Sequence, residues 1–195
     1  MPDADERAEV AELHALAGAM AAESERFLEA ATQVAAGAHP EASISLLLLA
    51  VADVTAAGAR LGAITDVVPP QRFEPDDGAE PDTDSLRLGL ANAFDGVDEY
   101  REVPDPLIDN ASVSGSLSAD IAEVALALRR GLQHHRAGNV IEALWWWQFS
   151  YLSNWGDRAA AALRALLSVL SHLRLDVPAD VAADAEFDAL HAETD

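Results

Sequence analysis

The chain has 195 residues and a mass of 20.6 kDa, the size of one ordinary domain, and half of its residues are hydrophobic. Its 34 acidic residues face 12 basic ones, all Arg, and the formal charge of −22 excludes nucleic acid and anionic membranes as favourable partners, because both bind through clustered Lys and Arg. With no Cys, the chain has no disulfide, no Cys-ligated zinc and no thiol nucleophile.

Two helices are predicted in the first third of the chain. From about residue 5 to 36, apolar residues recur at steps of three and four, which places them on one helical face. Gly37 suits the left-handed position after a helix, and Pro40 suits the first turn of the next one. That second helix, at about 40–62, contains the apolar run 44–51, which predicts a central helix. The run is too short to span a bilayer.

An acidic loop is predicted at about 66–84, where prolines and acids surround the single Arg72. A short helix at about 83–94 follows. The stretch 100–116 then contains Pro104, Pro106 and Gly115 and is predicted to be irregular.

Two strong helices and an aromatic one are predicted in the second half. Ser118 is the predicted N-cap of a helix that ends near Ala137, before Gly138. An aromatic helix follows at 139–153, and Asp157 is the predicted cap of the last strong helix.

Residues 176–195 form an acidic segment, predicted to be a weak helix or a frayed tail. The complete pattern predicts an all-α fold in a single domain, residues 1–195, without a sheet. It is an irregular bundle of five major helices plus a short sixth.

More than half of the aromatic side chains lie between positions 145 and 155, and three of them are adjacent Trp residues. Because successive helical residues are 100° apart, the three Trp side chains cover an arc that is wider than one core-facing stripe. Two interpretations stay open: the rings are core, or some line a pocket or a subunit interface, where Trp and Tyr often dominate binding energy. Acids and aromatic faces together also attract a cationic small molecule. The candidate contact rings are Trp145, Trp146, Trp147, Phe149, Tyr151 and Trp155.

The polar residues at the edge of this cluster are Glu142, Tyr151, Asn154 and Arg158, and a site at the cluster would use them. Pairing of Arg158 with Glu142 or Asp157 is the simpler structural expectation, because ion pairs commonly tie helix ends together.

No metal, cofactor or catalytic residue is predicted. The six His residues lack the spacing of known helical metal motifs, and His134 and His135 point 100° apart. The chain has no glycine-rich phosphate loop, no nucleophile elbow and no dinucleotide fingerprint.

The run from Glu142 to Gly156, EALWWWQFSYLSNWG, resembles a bacterial family of domains of unknown function that is common in actinobacteria. Gly131 with Leu132, and the segment 58–62, GARLG, are similar as well. The resemblance implies an all-helical cytoplasmic protein with no assigned activity, cofactor or partner. Looser relatives carry His in place of Asn154 and Arg158, so the resemblance does not extend a metal site to this chain.

Three functional hypotheses follow. The first is a non-enzymatic cytoplasmic interaction or assembly protein, such as a homodimer, that uses the aromatic helix or the long first helix as its contact. The acidic N-terminus favours the cytoplasm because a signal peptide begins with basic residues. The alternative is a small-ligand-binding or hydrolytic enzyme whose pocket is edged by Trp146, Trp147, Tyr151 and Asn154. The third is an acidic soluble domain without a site at the cluster, whose charge reflects halophily or genome composition.

Overall fold

The structure is a computed structural model that describes residues 4–64, 66–69, 81–103, 107–108 and 111–176. Helix α1 spans Ala4–Ala35, and a short 3-10 helix, Pro40–Ala42, leads into helix α2, Ser43–Gly62. Gly37 adopts a φ of 68°, which only glycine adopts without strain, and Pro40 begins the 3-10 helix. The predicted turn between the first two helices is therefore confirmed.

The remaining helices lie close to their predicted ranges. They are α3 at Asp84–Ala93, α4 at Leu117–Arg136, α5 at Val140–Ser150 and α6 at Gly156–Leu175. Gly138, with a φ of 84°, reverses the chain between α4 and α5. A π-helical turn, Tyr151–Trp155, connects α5 directly to α6. The fold is thus mainly α, whereas the sequence predicted an all-α fold.

A small antiparallel sheet corrects the prediction of a fold without strands. Strand β1, Glu99–Glu102, pairs with strand β2, Val113–Ser116, and places Tyr100 opposite Gly115. These four-residue strands lack the alternation of apolar and polar residues that identifies a strand. A Cβ at Gly115 would lie 2.6 Å from the Tyr100 ring, so glycine is what lets this ring cover the neighbouring strand.

Both predicted N-caps in the second half are wrong. Ser116 caps α4, since its Oγ accepts a hydrogen bond from the backbone N–H of Ala119 at 3.3 Å. Ser118 lies inside that helix, and its N–H and hydroxyl donate to Asp98 at 2.7 and 2.9 Å. Asp157 caps nothing, because the π-helical turn continues into α6 without a non-helical residue.

Helix α4 buries eleven residues and packs against α1, α3, α5 and α6, so it occupies the centre of the bundle, and the predicted central position of the second helix is wrong. Helix α2 buries seven residues, and Leu49 in its apolar run is 64% exposed. It packs against α1 on one side and α6 on another, and buries Leu47, Val51, Val54 and Leu61 in the hydrophobic core. By length and a mean hydropathy of 1.8, Pro40–Gly62 also qualifies as a possible membrane span among the described residues. About a third of this stretch, 33%, is buried inside the helical bundle, where α2 packs against α1, α5 and α6.

The acidic loop is described only at its ends, where both are held by side chains. The backbone N–H of Val67 donates to Gln148 Oε1 at 2.8 Å, and Arg129 donates to the carbonyl of Asp82 at 2.7 Å. The rest of the predicted loop at 66–84, and the predicted tail beyond Asp176, lie outside the described residues. The single-domain assignment of 1–195 stays a prediction.

Candidate functional site

The aromatic cluster is divided between the core and the surface, so the core interpretation applies to some of the rings, and the pocket or interface interpretation stays a prediction for the others. Some rings are fully buried, others are half-buried, and Phe149 is 51% exposed. The buried rings are Trp147 and Trp155, and the half-buried ones are Trp145, Trp146 and Tyr151.

Two adjacent indoles join α5 to α4. The Trp146 Nε1–H donates to the Ala127 carbonyl at 3.1 Å, and the Trp147 Nε1–H donates to the Leu128 carbonyl at 3.4 Å. The indole of Trp147 occupies the space where a Cβ would stand at Gly131. The glycine therefore permits a close helix crossing, with Trp147 as its core contact.

The π-helical turn presses its two rings against α2. Tyr151 and Trp155 pack edge to face, with ring centroids 4.8 Å apart, over Gly58. A Cβ at Gly62 would lie 3.2 Å from the Tyr151 ring. The indole nitrogen of Trp155 is buried without a hydrogen-bond partner in the described structure, so this ring acts through packing alone.

A second set of side chains on α5 and the π-helical turn remains open to solvent. The Trp145 and Phe149 rings stack in parallel, with centroids 5.2 Å apart and an interplanar angle of 10°. Leu152 continues this face and is 62% exposed. We call Trp145, Phe149 and Leu152 the aromatic stripe. From Ala143 to Gly156 the chain has no charged residue, the longest such run in this acidic sequence.

A groove between α4 and α5 borders the stripe. This α4–α5 groove encloses about 180 Å³ and is lined by Leu126, Ala127, Arg130, Trp146, Phe149, Ser150, Ser153 and Asn154. The hydroxyls of Ser150 and Ser153 donate to carbonyls of their own helix at 2.6 and 2.7 Å, which leaves a mainly apolar floor. Of the four residues predicted to edge a ligand pocket, the lining of this groove includes Trp146 and Asn154 but neither Trp147 nor Tyr151.

The face of the Trp146 ring is covered by a cation of the chain itself. The Arg130 guanidinium carbon lies 5.4 Å from the ring centroid, within the range of a cation–π contact. A cationic ligand at this face would have to displace Arg130.

Glu142, in the first turn of α5, is half-buried, and Asn154 is an exposed residue on the wall of the groove.

Arg158 belongs to a different polar cluster, in which its own side chain is 42% exposed while its two acidic partners are buried, and this corrects its expected pairing with Glu142 or Asp157. Its Nη1 lies 3.2 Å from Asp120 Oδ1 and 3.8 Å from Glu102 Oε1. The Tyr100 hydroxyl donates to the other oxygen of Asp120. This cluster joins the hairpin to the first turns of α4 and α6.

Both carboxylates of the cluster are almost fully buried, and burial raises the pKa of each. The hydrogen bond from Tyr100 and the charge of Arg158 oppose the shift in the pKa of Asp120. The pKa of Tyr100 is raised mainly by burial and, as the second contribution, by its hydrogen bond to Asp120. The sequence gives no signal for this cluster beyond Asp120, which suits the positive end of the α4 dipole.

Within the described residues, no group of three or more His, Asp and Glu side chains is placed to hold a metal ion. His135 packs against Trp147, with ring centroids 6.0 Å apart, at the interface of α4 and α5.

Comparisons with known proteins give a family and a fold. A model of a domain of unknown function, DUF5063, matches residues 11–172. No curated protein matches the chain significantly. The crystal structure of protein BF1032 from Bacteroides fragilis is similar, with a TM-score of 0.63 and 14% sequence identity over 83% of this chain and 93% of that one. At this identity the similarity shows a shared fold.

Proposed function

The chain belongs to the DUF5063 family of domains of unknown function, and from this premise we propose that it is a non-enzymatic cytoplasmic interaction protein that pairs with a second copy of itself through the aromatic stripe. The run 142–156 is then the signature of a mainly actinobacterial branch of the family. This pairing depends on the protein concentration, on the salt concentration and on single side chains.

One observation carries the proposal: a half-exposed Phe149, stacked on Trp145 and continued by Leu152, lies in an uncharged run. Aromatic side chains supply most of the binding energy at many interfaces, where charged residues are depleted from the centre. The stack holds the Phe149 ring in place before binding, so little side-chain entropy is lost when a partner covers it.

The charge of the chain favours a second copy at this face over pairing through other faces. Two copies with a charge of −22 each repel one another, and the repulsion is strongest where acids approach directly. The stripe itself contains no acid, so two copies that meet through it do not place carboxylates of the stripe against each other. The long helix α1 is less suited, because its exposed side carries the ion pairs of Arg26 with Glu23 and of Arg136 with Glu25.

The geometry of the α4–α5 groove favours an enzymatic function less than it favours an interaction. The α4–α5 groove, at about 180 Å³, is smaller than typical small-molecule sites of roughly 300–1,000 Å³. Asp120 and Glu102, whose pKa values are raised, lie outside its lining. The groove therefore does not bring a ligand to a titratable group of this kind.

The test is the molar mass of the chain, measured by sedimentation from about 1 to about 300 µM, the range in which modest self-association becomes visible. We expect a monomer–dimer equilibrium that strengthens as NaCl rises from about 0.1 to about 1 M, since salt screens the repulsion between the two acidic bodies.

Phe149→Glu is expected to leave the chain monomeric, because it places a charge in the centre of the interface. Leu173→Glu is the matched control, because Leu173 is also an exposed apolar residue but lies outside the stripe, near the end of α6. A monomer at every concentration, or equal effects of the two variants, would refute the proposal.

A further inference from the structure

The hairpin of β1 and β2 is attached to the helical bundle at two places that differ in their chemistry. Near the start of β1, the carboxylate of Asp98 accepts hydrogen bonds from Ser116 and Ser118 over distances of 2.7 to 2.9 Å. At the end of β1, the carboxylate of Glu102 lies against Arg158 and against a second acid on α4. The first attachment gives one acid several donors, whereas the second brings two acids to one guanidinium.

The two acids at the second attachment are equally buried but differ in their donors. The side chain of Asp120 is 4% exposed, and each of its oxygens has a donor: the Tyr100 hydroxyl at Oδ2, and Arg158 Nη1 at 3.2 Å from Oδ1. The side chain of Glu102 is 5% exposed, and its oxygen lies 3.8 Å from the same Nη1, which is beyond hydrogen-bond distance. The guanidinium therefore neutralises Asp120, and Glu102 is the acid that is left to take up a proton.

The charged groups that surround Glu102 in the described structure come from two helices. They are Asp120 on α4, and Asp157, Arg158 and Arg164 on α6; strand β2, which pairs with β1, has no charged side chain. Burial is the main cause that raises the pKa of Glu102, and the two Asp residues raise it further, while the two Arg residues lower it.

We infer that Glu102 is a pH-sensitive switch, which holds the end of β1 against α4 and α6 in its protonated form and releases it when the proton leaves. Protonated Glu102 is buried beside a neutral pair of Asp120 and Arg158. Ionised Glu102 becomes hydrated only when β1 moves away from the bundle, because a buried charge without a donor is costly. The closed hairpin therefore binds the proton more tightly than the released one, and rising pH favours release. The inference does not depend on self-association of the chain.

Amide hydrogen exchange of the full chain, followed by NMR at several pH values and corrected for the intrinsic exchange rate, measures this release. Above the ordinary Glu pKa of about 4.3, protection of the hairpin amides should fall by up to about tenfold per pH unit, and it should level off once the closed form has also lost its proton. Glu102→Gln should abolish the fall. Glu99→Gln is the matched control, because Glu99 lies on the same strand but is exposed, and it should keep the fall.

Two charges of α6 provide a readout that a purely structural role of Glu102 would not give. Asp157 and Arg164 are both exposed, so their substitution should leave the fold intact. Asp157→Asn removes a charge that raises the pKa of Glu102, and Arg164→Gln removes one that lowers it. At low salt, the pH at which protection levels off should therefore move down in the first variant and up in the second, each by a few tenths of a pH unit.

Amides of the buried residues Val51 and Val54 on α2 are the internal reference, because they exchange when the whole bundle unfolds. They should stay at least about a hundredfold better protected than the hairpin at every pH. Hairpin protection that does not change with pH, or a fall that persists in Glu102→Gln, would overturn the inference. Hairpin amides that exchange as slowly as those of α2 would also overturn it, since the hairpin would then leave only by global unfolding.

Discussion

Replacing Gly131 by Ala tests whether α5 is held by the fit of one indole against α4. The Cβ of an alanine at this position would overlap three atoms of the Trp147 ring, Nε1, Cε2 and Cδ1. Trp147 is fully buried, and its indole N–H is bonded to the carbonyl of Leu128. The ring therefore has no open direction in which to move, and the two helices have to separate.

The magnitude follows from two opposing terms. Overpacking a core costs about 1–3 kcal/mol, and we take the upper end because three ring atoms overlap. The exchange of Gly for Ala inside a helix returns about 1 kcal/mol of helix propensity. The net expectation for Gly131→Ala is a loss of about 2 kcal/mol in the free energy of unfolding.

Gly18 provides the matched control, because it also lies inside a helix but has no atom within 4 Å of its added Cβ. Gly18→Ala should gain about 1 kcal/mol, so the two variants should differ by about 3 kcal/mol. For a chain of this size the difference corresponds to roughly 6–12 °C in the unfolding midpoint.

Urea denaturation followed by far-UV circular dichroism measures the difference. The chain should be kept at a concentration below the onset of self-association. A Gly131→Ala variant as stable as Gly18→Ala would refute the reasoning, because it would mean that Trp147 repacks without cost.

Four further substitutions test the cluster around Asp120 and the division of the aromatic helix. Burial raises the pKa of Glu102, so the stability linked to its protonated form is complete below the unfolded pKa of about 4.3 and is lost as pH rises through the folded pKa. Thermal melts of Glu102→Gln should therefore exceed the wild type at pH 7 and converge with it in acid, while the exposed Glu99→Gln shows neither effect; a less stable Glu102→Gln at pH 7 would contradict this. Tyr100→Phe deletes the hydrogen bond to a buried carboxylate and should cost about 1–3 kcal/mol in urea denaturation, and no loss would mean that the bond contributes nothing. In the same assay on the monomer, Trp147→Ala should cost about 3–5 kcal/mol and Phe149→Ala less than about 1 kcal/mol; equal costs would contradict the division into core and surface rings.

The helical layout was predictable from the sequence because its signals are local. The spacing of apolar residues locates all six described helices, and Gly37 and Gly138 mark the turns in which a positive φ is needed. The hairpin was not predictable, since Tyr100 covers Gly115 only after two short strands are brought together across the chain.

The candidate site was predictable as a region but not in its division. The high density of aromatic residues around Trp147 identifies this helix as the candidate site. The three adjacent Trp residues of the helix, however, have very similar neighbours in the sequence, so the sequence does not distinguish them. Which ring is buried depends on what faces it: Gly131 admits Trp147, while nothing in the described chain covers Phe149 to the same extent. Likewise, Arg158 could pair with any nearby acid along the chain.

By itself, the sequence determined the acidic, mainly helical character of this protein, the order of its helices and the helix on which a contact surface would lie. These properties depend on composition and on periodicities within a few residues of each other. Only the tertiary structure decided which aromatic rings are core, where the groove opens and that Arg158 meets Asp120 and Glu102. Those outcomes depend on contacts between residues that are far apart in the sequence, and the amino-acid sequence contains no local signal for such contacts.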